Sequence, residues 1–235
     1  MKQLNDEVFT INYPYGYNSD AKKILEYAKY AQRLLTRIFP FKILDKINIF
    51  LYTEPSKVNG EITYTVMRSD YINLKIHLIT PTVAIPTSSW IDDVFYKANI
   101  IHECTHILIG QWIYKVTGKW MGNYLPEWFS EGIAGYIPYY CSTPEIYQKY
   151  RPRLDKIYEM VRKGDGIFHK IRTDVYYGGS VLVKYMYEKY GETIVNKMII
   201  SNSDSWREAI QQEIGISYNE FKDNWLIWAC EKVGK

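Results

Sequence analysis

Apolar positions recur along this chain at two different periods, and the change from one to the other divides it. After Ser19 or Asp20, the residues Ile24, Ala28, Ala31, Leu35 and Ile38 fall at helical spacing, which predicts an amphipathic helix closed by Pro40. The period then drops to two. Lys46–Tyr52 (KINIFLY) reads as a largely buried strand, and Glu61–Met67 alternates Ile62, Tyr64 and Val66. Tyr71–Ile79 alternates Ile72, Leu74, Ile76 and Leu78 against Asn73, Lys75 and His77, so His77 is expected on a solvated sheet face. Pro81 and Pro86 bracket a loop, and a long helix is predicted from about Asp92 to about Val116, with Asp92 and Asp93 at its start. All that follows is helical in pattern. A short helix runs from Pro126 to Tyr136, where Pro138 is expected to stop it. Thr143-Pro144 opens another, in which Pro152 predicts a kink or break. A third runs from about Tyr176 to Gly191, and a capping box from Ser217 to Glu220 begins the last. This order predicts an α+β fold in one domain over 1–235. An N-terminal α/β lobe spans about 1–116 and a helical C-terminal lobe about 117–235, with a cleft between them.

Composition narrows the picture only slightly. A chain of 235 residues, 47 % hydrophobic and 23 % charged, is ordinary for a globular protein and long enough to bury a real core. The formal charge of +3 is too small and dispersed to argue for nucleic acid or an anionic membrane. The opening MKQLNDEVFT has no apolar run of the signal-peptide kind, and no membrane-length apolar stretch occurs. A soluble, cytoplasmic and monomeric protein is expected, secreted only if a leader was removed. Cys104, Cys141 and Cys230 form neither a disulfide framework nor a C-x-x-C site. The 23 tyrosines accompany a general richness in Ile, Lys and Asn, which favours codon usage over an aromatic-lined cleft.

The candidate chemistry lies in "NIIHECTHIL", residues 99–108. His102 and His106 stand four residues apart on the long predicted helix, so they point the same way, about 40° apart around its axis, with Glu103 about 100° from His102. Two converging imidazoles with a carboxylate beside them form the HExxH zinc arrangement. A lone histidine is more often a satisfied core or sheet residue, which is the reading for His77 and His169. Cys104, about 200° round from His102, should face the core. A hydrolytic zinc needs a third protein ligand and an open position. "LPEWFSEGIAGY" (125–136) offers Glu131, with 24 residues intervening after His106. Gly132, Ala134 and Gly135 around it would let its helix approach the metal helix closely.

H-E-C-T-H followed by P-E-W-F-S-E-G-I-A-G-Y resembles the gluzincin metallopeptidases, specifically the peptidase MA-like domains, and is similar to the HExxH and E-G-x-A-E-Y region of bacterial collagenases. "FTINYP" (9–14), "VYYGGSVLVKYMYEKYG" (175–191) and "SWREAIQQEIGISYNEFKDNW" (205–225) look like that family's opening strand, post-site helix and closing helices. Gly135 departs from the pattern, standing where an acid would be.

The resemblance implies one Zn²⁺ per chain held by His102, His106 and Glu131, with Glu103 as general base on an activated water and a peptide or protein as substrate. It also implies a tyrosine donor for the tetrahedral oxyanion, Tyr176 with Tyr177 as alternative. The half-buried run Tyr71–Ile79 is expected to be an edge strand that pairs with substrate through Tyr71, Asn73, Lys75 and His77. Two other functions compete: a non-catalytic metal- or partner-binding module, against which the intact Glu103 argues, and hydrolysis of a non-peptide amide.

Overall fold

The computed structural model describes residues 1–54, 66–162, 175–201, 203 and 205–232. The fold is mixed α and β, with a five-stranded sheet towards the N-terminus and helices thereafter. It separates into two compact units, Met1–Gln111 and Trp112–Lys235.

The first unit holds β1 (Lys2–Asn5), β2 (Phe9–Tyr13), α1 (Asn18–Ile38), β3 (Ile47–Tyr52), β4 (Met67–Asp70), β5 (Lys75–Ile79), α2 (Pro81–Ala84) and most of α3 (Asp93–Thr117). The sheet order is β1-β2-β3-β5-β4. Strands β2, β3 and β5 run parallel at its centre, and β1 and β4 close it antiparallel on either side. Helix α1 connects β2 to β3, as a parallel pair requires, and packs against β2. The helical period explains its buried face: Ile24, Ala28, Ala31 and Leu35 are all inaccessible, as are Ile49 and Leu51 of β3 and Ile76 and Leu78 of β5. Asp92 starts α3 by accepting the Phe95 N–H at 2.7 Å. Residues 100–110 of α3 are buried without interruption, the mark of a helix enclosed on every side. Two contacts fix its direction. The Tyr96 hydroxyl donates to the Ile79 carbonyl at the end of β5, and Gly110 lies against Tyr71, which precedes that strand. Helix α3 therefore runs antiparallel to β5.

The second unit is helical: α4 (Met121–Tyr124), α5 (Glu127–Cys141), α6 (Pro144–Arg162), α7 (Val175–Tyr190), α8 (Thr193–Ile200), α9 (Trp206–Ile214) and α10 (Tyr218–Lys232). Gly191, at φ 87°, ends α7 in the left-handed conformation that glycine adopts without strain. Ser217 accepts the Glu220 N–H at 3.2 Å, which gives the N-cap half of the expected capping box. Tyrosines build much of this core: Tyr139 stacks on Tyr150, Tyr136 on Tyr187, and Tyr185 packs against Phe221 and Trp228.

The structure corrects several expectations. Tyr71–Ile79 is not one strand: residues 71–74 form the turn between β4 and β5. Asp70 accepts the Asn73 backbone N–H at 3.0 Å and its side-chain amide at 2.8 Å, and Leu74 takes φ 55°. This side-chain-closed turn outweighs the alternating pattern. Nor is β5 an edge, since β3 and β4 flank it. His77 is not solvated but 2 % exposed, stacked between Phe50 and Tyr52. Pro138 does not stop α5, which continues to Cys141 with Ile137, Pro138 and Tyr139 all buried. Packing outweighs one lost backbone bond there. Helix α6 likewise passes through Pro152 without a break. The run at 61–65 and His169 lie outside the described residues. Among the described residues, no helix is long and apolar enough to cross a membrane.

Candidate metal centre

His102 and His106 project from the buried middle of α3, 7 % and 6 % exposed. Their Nε2 atoms are 3.1 Å apart and their rings meet edge to face at 77°. The Glu131 carboxylate joins them, one ligand atom from each of the three lying within 4.8 Å of the others. The donor set fits a metal. Two nitrogens at 2.0–2.1 Å from a tetrahedral zinc stand about 3.3 Å apart, close to the separation seen. Two imidazoles and one carboxylate are also the ligand chemistry of hydrolytic zinc. Glu103 is buried on the same stretch of α3. Cys104 is fully buried, as its position on the helix requires, and burial, with the Glu103 charge adding to it, pushes its thiol well above the ordinary range. Among the described residues it does not belong to the group formed by His102, His106 and Glu131.

Glu131 stands beside a close helix crossing. A Cβ built on Gly132 would lie 2.6 Å from the Gly179 carbonyl, and one on Gly179 would lie 2.3 Å from the Trp128 carbonyl oxygen. The backbones of α5 and α7 thus touch at this pair, one residue from Glu131. Gly135 lies against Ser180 and the Tyr176 carbonyl of the same helix. These glycines face α7, so the expectation that they fit α5 against the metal helix is corrected. The partner glycine Gly179 follows closely on the tyrosine pair in the sequence, and only the fold shows what it meets.

Tyr176 and Tyr177 open α7 in different environments. Tyr176 is 50 % exposed. Tyr177 accepts a hydrogen bond from Arg153 Nη1 at 2.6 Å and stacks against Tyr139. Arg153 and Tyr139 carried no signal in the sequence, because their approach depends on how α5, α6 and α7 pack. Of the four residues expected to line a substrate strand, Tyr71 and Asn73 sit in the β4–β5 turn, and Lys75 and His77 belong to the interior strand β5.

The sequence model of the collagenase peptidase family matches residues 81–225, a span that contains α3, both histidines, Glu131 and the tyrosine pair. A comparison with curated proteins finds no match.

Proposed function

We propose that this chain, which belongs to the collagenase family of peptidases, is a zinc metallopeptidase that cleaves peptide bonds in peptides or proteins. The observation that carries this reading is the approach of two imidazole Nε2 atoms to 3.1 Å with the Glu131 carboxylate in the same group. His102, His106 and Glu131 would hold one zinc, which when bound polarises the scissile carbonyl and draws the pKa of water towards neutrality. Glu103 accepts the proton of the attacking water and delivers it to the leaving amine. Its place beside His102 on α3, about 100° round the axis, supports a role next to the ligands rather than among them. Tyr176, or Tyr177 in its stead, donates to the carbonyl oxygen as negative charge develops, and a neutral phenol does so without adding charge. An extended substrate needs an open strand edge, and β4, last in the sheet among the described residues, supplies one where β5 does not.

Glu103→Gln tests the chemistry. It is expected to retain stoichiometric zinc by elemental analysis while hydrolysis of a quenched peptide library falls by several orders of magnitude. Cleavage at the wild-type rate would overturn the mechanism, and loss of zinc would make Glu103 a ligand. Tyr176→Phe is expected to lower turnover by about 10²–10³-fold with zinc kept. Near-normal turnover would transfer the role to Tyr177 or to the metal.

A further inference from the structure

The last turn of α3 and the chain just beyond it carry apolar side chains into solvent. Gly118, at φ 70°, ends the helix in the left-handed conformation, its N–H donating to the Tyr114 carbonyl at 2.9 Å. The Lys119 N–H then donates to Thr117 Oγ1 at 3.1 Å. This tight return lays Trp120 on Tyr114, with ring centres 4.3 Å apart and planes at 20°. Both rings stay open to water: Tyr114 is 47 % and Trp120 37 % exposed, and Val116 is 53 % exposed. Lysines stand among the rings. Lys115 Nζ lies 4.7 Å from the Trp112 ring centre, and Lys119 Nζ 5.9 Å from that of Tyr124. From 104 to 126 the chain carries these two lysines and no acid, so charge that is dispersed over the whole sequence has one sign here. Burial, then the charge of Glu213 on α9, raise the Tyr124 phenol, so an acid borders the patch at that end.

We propose that this surface, formed by Tyr114, Lys115, Val116, Lys119 and Trp120, is a docking site for a membrane whose lipid headgroups are anionic. Tryptophan and tyrosine with lysine beside them are the residues of a lipid–water interface, where the rings enter the headgroup layer and the ammonium groups stay with the phosphates. A polypeptide partner fits the same surface less well, because lysine is depleted where proteins meet. The contact is peripheral, and among the described residues no helix is long and apolar enough to cross a membrane. Each lysine near an anionic leaflet strengthens binding about fivefold, and the rings and the valine add an apolar part. The sum is a weak, reversible attachment, comparable with that of a single acyl chain, about 10⁴ M⁻¹. Binding of this kind needs neither zinc nor turnover, so it stands or falls apart from the metal centre.

The test is sedimentation of the whole chain with vesicles of phosphatidylcholine and phosphatidylserine, about three to one, and with vesicles of phosphatidylcholine alone. At about 1 mM lipid and low salt, most of the wild type is expected to pellet with the anionic vesicles and little with the neutral ones. Lys115→Gln combined with Lys119→Gln is expected to weaken binding about 30-fold, and Trp120→Ala at least about tenfold. As a control, Lys22→Gln with Lys197→Gln removes the same charge from exposed positions on α1 and α8, and is expected to bind within about twofold of wild type. Melting temperatures of both lysine pairs, whose side chains are exposed, are expected to stay within a few degrees of wild type, which separates lost binding from lost fold. Wild type that ignores anionic vesicles overturns the proposal, as does equal binding to neutral ones. An equal loss in the two lysine pairs overturns it as well, because net charge would then account for the attachment. Undiminished binding in Trp120→Ala does the same, since charge without the rings would then hold the protein.

Discussion

At the scale of single residues, burial governs His77. Its Nδ1 meets the Tyr52 hydroxyl at 2.9 Å, while Nε2 is buried with no hydrogen-bond partner. Around it stand Arg68 and Asp70 from β4 and Lys75 from its own strand. Burial first, then the positive charges of Arg68 and Lys75, hold its pKa below the ordinary 6.5, with Asp70 opposing. The unfolded chain thus takes up a proton at this site more readily than the folded one. The contribution of neutral His77 to stability is complete above about pH 6.5 and is lost as pH falls from there through the folded value. Melting temperatures between pH 7.5 and 5 are expected to fall less steeply in His77→Gln than in wild type. Parallel curves would show that His77 does not titrate in this range. The alternation that marked His77 as outward-facing correctly placed it opposite Ile76 and Leu78. It could not show that Phe50 and Tyr52 of β3 would enclose it, because cross-strand neighbours are set by sheet order and register.

At the scale of elements, the crossing of α5 and α7 carries the greatest constraint, since backbone meets backbone at Gly132 and Gly179. Gly179→Ala would put a methyl 2.3 Å from the rigid Trp128 carbonyl oxygen, and overpacking of this kind costs about 1–3 kcal/mol. An unfolding free energy lowered by that amount in denaturant titration is expected, with a smaller loss in Gly135→Ala. There the closest obstacle, Ser180 Oγ, is a side-chain atom that can rotate. Equal losses in the two would mean that α7 shifts freely. Periodicity made the long helix α3 legible, together with its Asp92 start, the α1 face and the ends at Gly191 and Ser217, because local spacing and capping determine these. The β4–β5 turn and the passage of α5 and α6 through their prolines were not legible. A side-chain hydrogen bond within the turn and burial around the helices decided them, and neither shows in a spacing pattern. The HExxH pair was readable because its geometry is that of one helix, whereas the stacking of Tyr139 with Tyr150 and Tyr177 depends on three.

For the whole molecule, the three candidate ligands join stability to metal. His102 and His106 come from α3 and Glu131 from α5, with 24 residues of chain intervening. Only the folded chain holds them within 4.8 Å of one another. A metal that binds the folded chain and not the unfolded one stabilises it by RT ln(1 + [L]/Kd), about 4.1 kcal/mol at a thousandfold excess over Kd. In a protein of this size each kcal/mol moves the melting temperature by about 2–4 °C, which gives a rise of about 8–16 °C. Calorimetry with excess zinc, and again after chelation, is expected to show that difference for wild type. It should persist in Glu103→Gln, whose altered side chain stands beside the ligands, and vanish in the His102→Ala, His106→Ala double variant. An undiminished rise in the double variant would place the stabilising zinc elsewhere and remove the assignment of this helix pair as the metal centre.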